Sequence, residues 1–173
     1  CRDLALPFKD QAIRLKVNDQ VICFDDLLQG QHCSNLQADL GDFVLKRRDG
    51  IINYQLAVVV DDFLQGITHV IRGSDLLDNT ERQIWLGQCL NYPKLQYMHL
   101  PLAMNAHGSK LSKQNHAEAL NIQHAPQTLA QALSALGQPP ADIDQPYKML
   151  TQAISQWDRK LIPKGTEMNG IYQ

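Results

Sequence analysis

The order of apolar and polar segments between residues 67 and 104 restricts the fold of this chain more than any other feature. Residues 67–72 are rich in β-branched side chains, which predicts a strand. Thr80 and the residues after it have the form of a capping box with Thr80 as the N-cap, which predicts a helix through Leu90. Residues 97–104 then predict a buried second strand. A strand, a helix and a strand in this order predict a parallel α/β unit.

Charged side chains follow both strands of this unit. Arg72 ends the first strand, and the second leads into a loop, residues 105–116, that carries Lys110 and Lys113. Ligands of parallel sheets bind beyond the carboxyl ends of the strands, so we expect Arg72 and this loop to meet at one crevice. Two ammonium groups there suit a developing polyphosphate charge. The alternatives are a solvated polar loop and a salt bridge of Arg72 at the strand end.

The N-terminal third predicts β structure in two places. Residues 11–24 alternate around Asn18 and Asp19, which is typical of a β-hairpin, whereas residues 25–41 look irregular. Residues 42–47 predict another strand, with a turn at Arg48, Asp49 and Gly50 and a return over residues 51–54.

Helices dominate the predictions for the remaining segments. Residues 55–64 predict a short helix, and residues 126–136 and 146–157 predict two amphipathic helices separated by a Gly- and Pro-rich break. The last stretch, residues 161–173, predicts a loosely packed tail.

Composition limits the classes of partner and compartment. With a net charge of −2 over 173 residues, any RNA contact must use a local patch such as Lys46–Arg48, which is otherwise a solvated turn. No apolar run is long enough to span a bilayer, and no signal peptide is evident. We therefore expect a cytoplasmic protein, and the start at Cys1 without a methionine is typical of a fragment. We also expect the thiols at Cys23, Cys33 and Cys89 to be reduced and at least half-buried.

Three stretches, in a fixed order, together resemble a known family. They are residues 48–62, residues 66–73 and Lys110-Leu111-Ser112-Lys113-Gln114. They resemble the second half of the catalytic core of class I glutamyl-tRNA synthetases, and the lysine stretch is similar to the KMSKS signature of that class. The resemblance covers about residues 11–160. It implies an α/β fold: the second half of a class I Rossmann-like core, with an N-terminal β-hairpin region and C-terminal helices.

Within that family the chain is most similar to the glutamyl-Q branch. Full glutamyl-tRNA synthetases usually have Asn where this chain has Val58 and Trp where it has Leu76. The resemblance implies activation of L-glutamate with ATP and Mg²⁺, followed by transfer to queuosine in the anticodon of tRNA(Asp). Tyr54 and Arg72 would hold the glutamate.

The resemblance also implies roles for the lysine loop and the first residue. Lys110, Leu111, Ser112, Lys113 and Gln114 would form the ATP loop, with Lys113 on the phosphates and Lys110 offsetting the charge of leaving pyrophosphate. Cys1 would correspond to the last ligand of a zinc site whose other ligands are absent from this chain. The HIGH-like motif of the family is absent as well. We therefore expect that the 173-residue chain alone neither binds zinc tightly nor activates glutamate.

The implied domains are residues 1–41, the remainder of an inserted zinc- and acceptor-type subdomain; residues 42–120, the half core with its KMSKS-like loop; and residues 121–173, a helical segment. The full-length enzyme would be a monomer that contacts no membrane. Two alternatives stay open: a fragment of a true glutamyl-tRNA synthetase, and a non-catalytic RNA-binding module derived from one.

Overall fold

The chain divides into two compact units. The computed structural model describes residues 6–105, 107–112 and 119–169. One unit contains the residues up to 72 together with 76–99, and the other contains 73–75 with the residues from 100 onward. No helix in these described ranges is long and apolar enough to cross a membrane.

The first unit is a mixed α/β structure with two sheets. Its strands and helices are β1 (Ile13–Leu15), β2 (Val21–Asp26), β3 (Gly30–Asn35), β4 (Phe43–Lys46), α1 (Tyr54–Leu64), β5 (His69–Gly73), α2 (Thr80–Cys89) and β6 (Gln96–Leu100). The last residues of β5 and β6, Gly73 and Leu100, belong to the second unit. The larger sheet has the strand order β3-β2-β6-β5, in which β2 is antiparallel to β3 and parallel to β6. Strands β5 and β6 are neighbours joined through α2, which agrees with the predicted strand–helix–strand order.

The hairpin predicted for residues 11–24 is wrong. Strand β1 pairs antiparallel with β4, and β2 pairs antiparallel with β3, so residues 25–41 are not irregular; they also contain a π-helical turn, Leu36–Leu40. The Asp42 carboxylate accepts a hydrogen bond from the Val17 amide at 2.9 Å, just beyond the end of β1. Which strands pair here depends on contacts between residues 25 positions apart. The alternation of apolar and polar residues within one segment does not predict such a pairing.

The expected state of the cysteines is also wrong. Cys23 and Cys33 face each other in the β2–β3 register, with their Cα atoms 4.1 Å apart, and form a disulfide. Both are exposed, and Cys89 is an exposed free thiol. The sequence could not indicate this bond, because the pairing follows from the β2–β3 register that sequence reading missed.

The segment that leads into α1 agrees with the prediction as far as residue 53. The Arg47 amide donates to the Ile51 carbonyl at 2.8 Å, and Gly50 closes the turn with a φ of +89°. Such a φ favours glycine because it has no Cβ. Asn53 caps α1 by accepting from the Gln55 amide at 3.1 Å. Tyr54 is therefore the first residue of the helix and not the last of the return strand.

Helix α2 starts without the predicted capping box. Asn79 is the N-cap and its side chain makes no capping bond, whereas Thr80 lies inside the helix and is fully buried. The Thr80 hydroxyl donates to the Leu76 carbonyl at 3.3 Å. This hydroxyl also accepts a hydrogen bond from Arg72, a contact that a local sequence motif does not reveal.

The second unit contains two helices and a two-stranded sheet. Its elements are β7 (Leu102–Met104), α3 (Ala125–Ala135), α4 (Pro146–Gln156) and β8 (Glu167–Asn169). The two predicted helices are confirmed, but the strand predicted for residues 97–104 is interrupted at Pro101, which has no amide proton. The expectation of a loose tail is wrong for residues 167–169, because β8 pairs in parallel with β7.

Candidate functional site

Arg72 lies near the carboxyl end of β5 and is held by a set of internal hydrogen bonds. Its Nε donates to His99 Nε2 at 2.9 Å, and its Nη1 donates to Gln83 Oε1 at 2.8 Å. Its Nη2 donates to the Thr80 hydroxyl at 2.8 Å and to the Leu76 carbonyl at 3.3 Å. These contacts fix the plane of the guanidinium group, which is a requirement for directional recognition of a carboxylate.

The same contacts limit what Arg72 can offer to a ligand. A guanidinium has five N–H groups, and the contacts above use four of them. Among the described residues the remaining N–H, on Nη1, has no acceptor. A ligand carboxylate could accept this one bond directly. A two-bond grip would require Nη2 to exchange its longest contact, the 3.3 Å bond to Leu76.

His99 connects Arg72 to a buried carboxylate. His99 is fully buried, and its Nδ1 lies 2.6 Å from Asp26 Oδ2. Because Nε2 accepts the Arg72 proton, the imidazole proton must be on Nδ1, where it is donated to Asp26. His99 is therefore neutral in this arrangement. Burial lowers its pKa, with the Arg72 charge acting in the same direction and the Asp26 hydrogen bond opposing both.

Asp26 accepts enough hydrogen bonds to stay ionised although only 5% of its surface is exposed. Burial by itself would raise the pKa of Asp26, but hydrogen bonds from Gln29, His99 and Leu28 outweigh burial and lower it. The Leu28 and Gln29 amides donate to Asp26 Oδ1 at 3.0 and 2.9 Å. The result is a chain of contacts that runs from a buried carboxylate through a neutral imidazole to the guanidinium.

A second chain of contacts connects Arg72 to the start of α1. Gln83, which accepts from Arg72, donates to Gln55 Oε1 at 2.8 Å. Gln55 follows Tyr54, whose side chain is half exposed. The polar network of Arg72 therefore reaches Gln55 at the start of α1. Tyr54 precedes Gln55 in the chain, but its hydroxyl forms no hydrogen bond with the described residues, so the network does not include the Tyr54 side chain.

A cavity of about 540 Å³ lies between α1, α2 and the larger sheet. Asp62 and Phe63 line it from α1, and Gln83 and Tyr97 line it beside Arg72. The guanidinium carbon is 5.6 Å from the centroid of the Tyr97 ring, a cation–π distance. Burial raises the pKa of Tyr97 to about 12, so this phenol stays protonated.

The described part of the lysine loop belongs to the second unit. After β7 the chain turns back, and the Leu111 amide donates to the Ala103 carbonyl at 2.8 Å. The Asn105 side chain accepts from the Ser109 amide at 2.9 Å, which closes the turn. Lys110 forms an ion pair with Asp75, and both side chains are about 39% exposed. Such an exposed pair contributes roughly 0–1 kcal/mol to stability.

Several predicted site residues lie outside the described ranges. These are Lys113, Gln114 and Cys1. The expectation that Arg72 and Lys113 share a crevice therefore stays a prediction, as does the zinc role of Cys1. Among the residues that the structure does describe, no group of three or more His, Cys, Asp or Glu side chains could hold a metal ion. Asp61 and Asp62, adjacent on α1, belong to no such group.

Sequence reading missed the polar residues that hold Arg72. Asp26, Thr80 and His99 are almost completely buried, and none of them was expected to contribute to the site. One signal was available: His99 interrupts an apolar run that predicts a buried strand, and a buried histidine needs a partner. Nothing in the local sequence identified Asp26 as that partner, because the two residues are 73 positions apart.

Comparison with known proteins connects this geometry to a family. The family described as tRNA synthetases class I (E and Q), catalytic domain, matches residues 7–156. Glutamyl-Q tRNA(Asp) synthetase of Acinetobacter baylyi is 66% identical over 172 residues, which are 99% of this chain and 59% of that protein. The protein of the same name from Neisseria meningitidis serogroup A is 49% identical over 157 residues, 90% of this chain and 53% of that protein.

Solved structures agree with this match. A glutamate tRNA ligase from Elizabethkingia meningosepticum, determined in complex with its amino acid, superposes with a TM-score of 0.71 at 25% identity and covers 91% of this chain and 36% of that chain. The glutamate-tRNA synthetase of Elizabethkingia anophelis also gives a TM-score of 0.71, at 24% identity, and shows the same fold. Because the family match extends over most of the 173 residues, this chain belongs to the class I tRNA synthetases for glutamate and glutamine, within their catalytic domain.

Proposed function

We propose that this chain is part of an enzyme that activates L-glutamate with ATP and transfers it to queuosine in the anticodon of tRNA(Asp). The 66% identity to a glutamyl-Q tRNA(Asp) synthetase across 99% of the chain carries this proposal. The chain spans 53–59% of the two relatives compared above, so the activity is that of the longer protein. It would act in the cytoplasm as a monomer.

In this function Arg72 and Tyr54 bind the glutamate substrate. Arg72 supplies a fixed positive charge and one N–H, and Tyr54 supplies an exposed phenol at the start of α1. Lys110, Leu111, Ser112, Lys113 and Gln114 form the loop that binds ATP with its Mg²⁺, where the ammonium groups stabilise the charge of departing pyrophosphate. Cys1 serves as a zinc ligand of the longer protein.

The domain assignment is part of the same proposal. Residues 1–41 belong to the inserted subdomain, residues 42–120 to the half core and residues 121–173 to the helical segment. The two compact units of the structure divide the chain at other positions, near residues 72 and 100.

Two assays on the product of the complete reading frame test the function. Glutamate-dependent exchange of pyrophosphate into ATP tests activation, and labelled glutamate offered with queuosine-containing tRNA(Asp) or with tRNA(Glu) tests the acceptor. We expect exchange, and transfer to tRNA(Asp) alone. Transfer to tRNA(Glu) would favour a true glutamyl-tRNA synthetase, and no exchange would refute the enzyme. The 173-residue chain by itself should give no exchange.

An Arg72→Lys variant tests the proposed substrate contact. Lysine keeps the charge but cannot reproduce the four contacts of the guanidinium, so kcat/KM for glutamate should fall about 10- to 100-fold, the loss expected for a charge-assisted hydrogen bond. Arg82→Lys is the matched control. Arg82 lies on α2 in the same unit, but its guanidinium donates to Asn79 and the Leu40 carbonyl and not to the network of Arg72. Equal losses in both variants would remove Arg72 from the substrate site.

A further inference from the structure

The outer face of the β1–β4 sheet carries an unusual density of positive charge. Residues 9–17 and 42–50 contain six Lys and Arg against three Asp, whereas the whole chain has 16 against 18 acidic residues. In β1 the side chains of Ile13 and Leu15 are partly buried, while Arg14 and the following Lys16 are exposed. Alternation therefore directs these two cations to the solvent side of the sheet.

The second strand and its turn extend the same charge. Lys46 at the end of β4 is exposed, as are Arg47 and Arg48 in the turn that follows. Arg47 forms an ion pair with Asp49 in which both side chains are largely exposed. Within the described ranges Lys16, Lys46 and Arg48 form no ion pair, so their charge is not neutralised by the protein. We call Arg14, Lys16, Lys46, Arg47 and Arg48 the basic face.

The basic face lies beside Tyr54. The Asn53 amide donates to the Leu45 carbonyl at 2.8 Å, which places the start of α1 next to β4. Lys46, Arg47 and Arg48 follow Leu45 directly in the chain. Ile51, Ile52 and Tyr54 are each roughly half exposed along this path. Cations next to exposed apolar and aromatic side chains are the combination that binds the backbone and bases of single-stranded RNA.

We infer that the basic face binds the phosphates of the RNA strand on either side of the nucleoside that accepts glutamate. This inference rests on the proposed function, which requires an RNA nucleoside to reach the substrate beside Tyr54. With a net charge of −2 the chain as a whole does not attract RNA at long range, so within this chain a local face of this kind supplies the attraction. Phosphate contacts position the strand and do not read its sequence.

A binding assay with the 173-residue chain tests the face directly. The probes are a labelled RNA hairpin with the anticodon arm of tRNA(Asp), without queuosine, and a hairpin of equal length with a scrambled loop. The test variant is Lys46→Gln/Arg47→Gln/Arg48→Gln. The matched control, Arg159→Gln/Lys160→Gln/Lys164→Gln, removes the same charge from exposed positions of the second unit. A second test variant, Arg14→Gln/Lys16→Gln, changes the other strand and leaves the turn intact.

Loss of phosphate contacts has a definite signature. Each lost contact should reduce the slope of log Kd against log salt by about 0.7–0.9, so the triple test variant should lose about 2–3 in slope and bind at least about tenfold more weakly at low salt. The double variant should lose about 1–2. The control should change Kd by less than about twofold, and both hairpins should respond alike.

Four results would contradict the inference. Equal losses in test and control variants, no loss in the test variants, a loss confined to one hairpin, or no binding by the unaltered chain would each overturn the inference. Failure of the proposed function looks different: the longer protein would transfer no glutamate to tRNA(Asp), while the basic-face variants would still lose affinity for both hairpins. All five side chains are exposed, so we expect the variants to stay folded, and their thermal unfolding curves check this.

Discussion

At the scale of single residues, the orientation of Arg72 depends on one proton of His99. The proton must be on Nδ1, between the ring and Asp26, so that Nε2 is free to accept from Arg72. A second proton on the ring would turn Nε2 into a donor that faces the guanidinium. The site is therefore built for a neutral imidazole, and acid should loosen both the fold and the hold on Arg72.

We expect the free energy of unfolding to fall as the pH drops below 6.5. The pKa of His99 is lowered from its ordinary value of 6.5 by burial, so in the window below 6.5 the unfolded chain binds more protons than the folded one. The slope should reach at most about 1.4 kcal/mol per pH unit for one proton. The lowered pKa of Asp26 acts in the same direction at more acidic pH. Urea titrations at several pH values, followed by Trp85 fluorescence in a Trp157→Phe background, measure this.

A His99→Gln variant separates this effect from general acid sensitivity. Removing this hydrogen-bond partner of buried Asp26 should cost about 1–3 kcal/mol at pH 8 and flatten the dependence between pH 6.5 and 5. His124→Gln, a change at an exposed histidine, should keep the wild-type dependence. A wild-type protein with equal stability at pH 8 and 5.5, or a His99→Gln variant with an unchanged slope, would contradict the neutral-imidazole arrangement.

At the scale of elements, the end of α3 shows why the helix break predicted there requires a glycine at one position. The Gly- and Pro-rich stretch after residue 136 was enough to predict that the helix ends there. The structure adds two facts: Gly137 has a φ of +67°, and a Cβ at this position would lie 2.3 Å from the Leu161 carbonyl oxygen. Gln138 then binds the chain at Asp158 by two hydrogen bonds, at 3.0 and 3.1 Å.

We expect Gly137→Ala to destabilise the second unit far more than Gly108→Ala does. Both glycines have a φ near +70°, so both substitutions incur the left-handed cost of about 1 kcal/mol. Only Gly137 faces a backbone atom, and this clash should add about 1–3 kcal/mol. Thermal unfolding followed by Trp157 fluorescence in a Trp85→Phe background measures the difference. Equal losses at the two positions would mean that the segment at Leu161 moves freely.

At the scale of the whole molecule, the larger sheet ends at β5 in the part of the chain that the structure describes. An end strand offers unpaired backbone groups to other chains. Ile71, near the middle of β5, is 62% exposed and adds an apolar surface there. The 173-residue chain therefore has both features that favour edge-to-edge association.

We expect the isolated chain to form dimers or larger species as its concentration rises, and Ile71→Lys to reduce this association, because a charge on an edge strand opposes pairing with a second edge. Sedimentation velocity over a range of concentrations measures both. Ile154→Lys is the matched control, since Ile154 is 75% exposed but lies on α4. A chain that stays monomeric throughout, or an equal effect of both substitutions, would contradict the prediction.

Much of the helical structure could be predicted from the sequence, because helices depend on contacts within a few residues. The strand order around α2 could be predicted because a strand, a helix and a strand in succession favour a parallel crossover. The pairing of β1 with β4 and the parallel strand β8 could not, since each depends on partners far apart in the chain. The Cys23–Cys33 disulfide joins residues only 10 positions apart, and it was missed because the β2–β3 pairing was not predicted. Thr80 shows the same limit at one residue: its local motif predicts a cap, but its hydroxyl contacts Arg72 and Leu76.

The sequence by itself determined the family resemblance and the choice of Tyr54, Arg72 and the lysine loop as candidate site residues, because those signals are contained in short, ordered motifs. Only the tertiary structure decided how Arg72 is held. Asp26, His99 and Gln83 come from three separate elements, and burial makes each of them need a hydrogen-bond partner. That need is met only when the strands and helices that carry them are packed together.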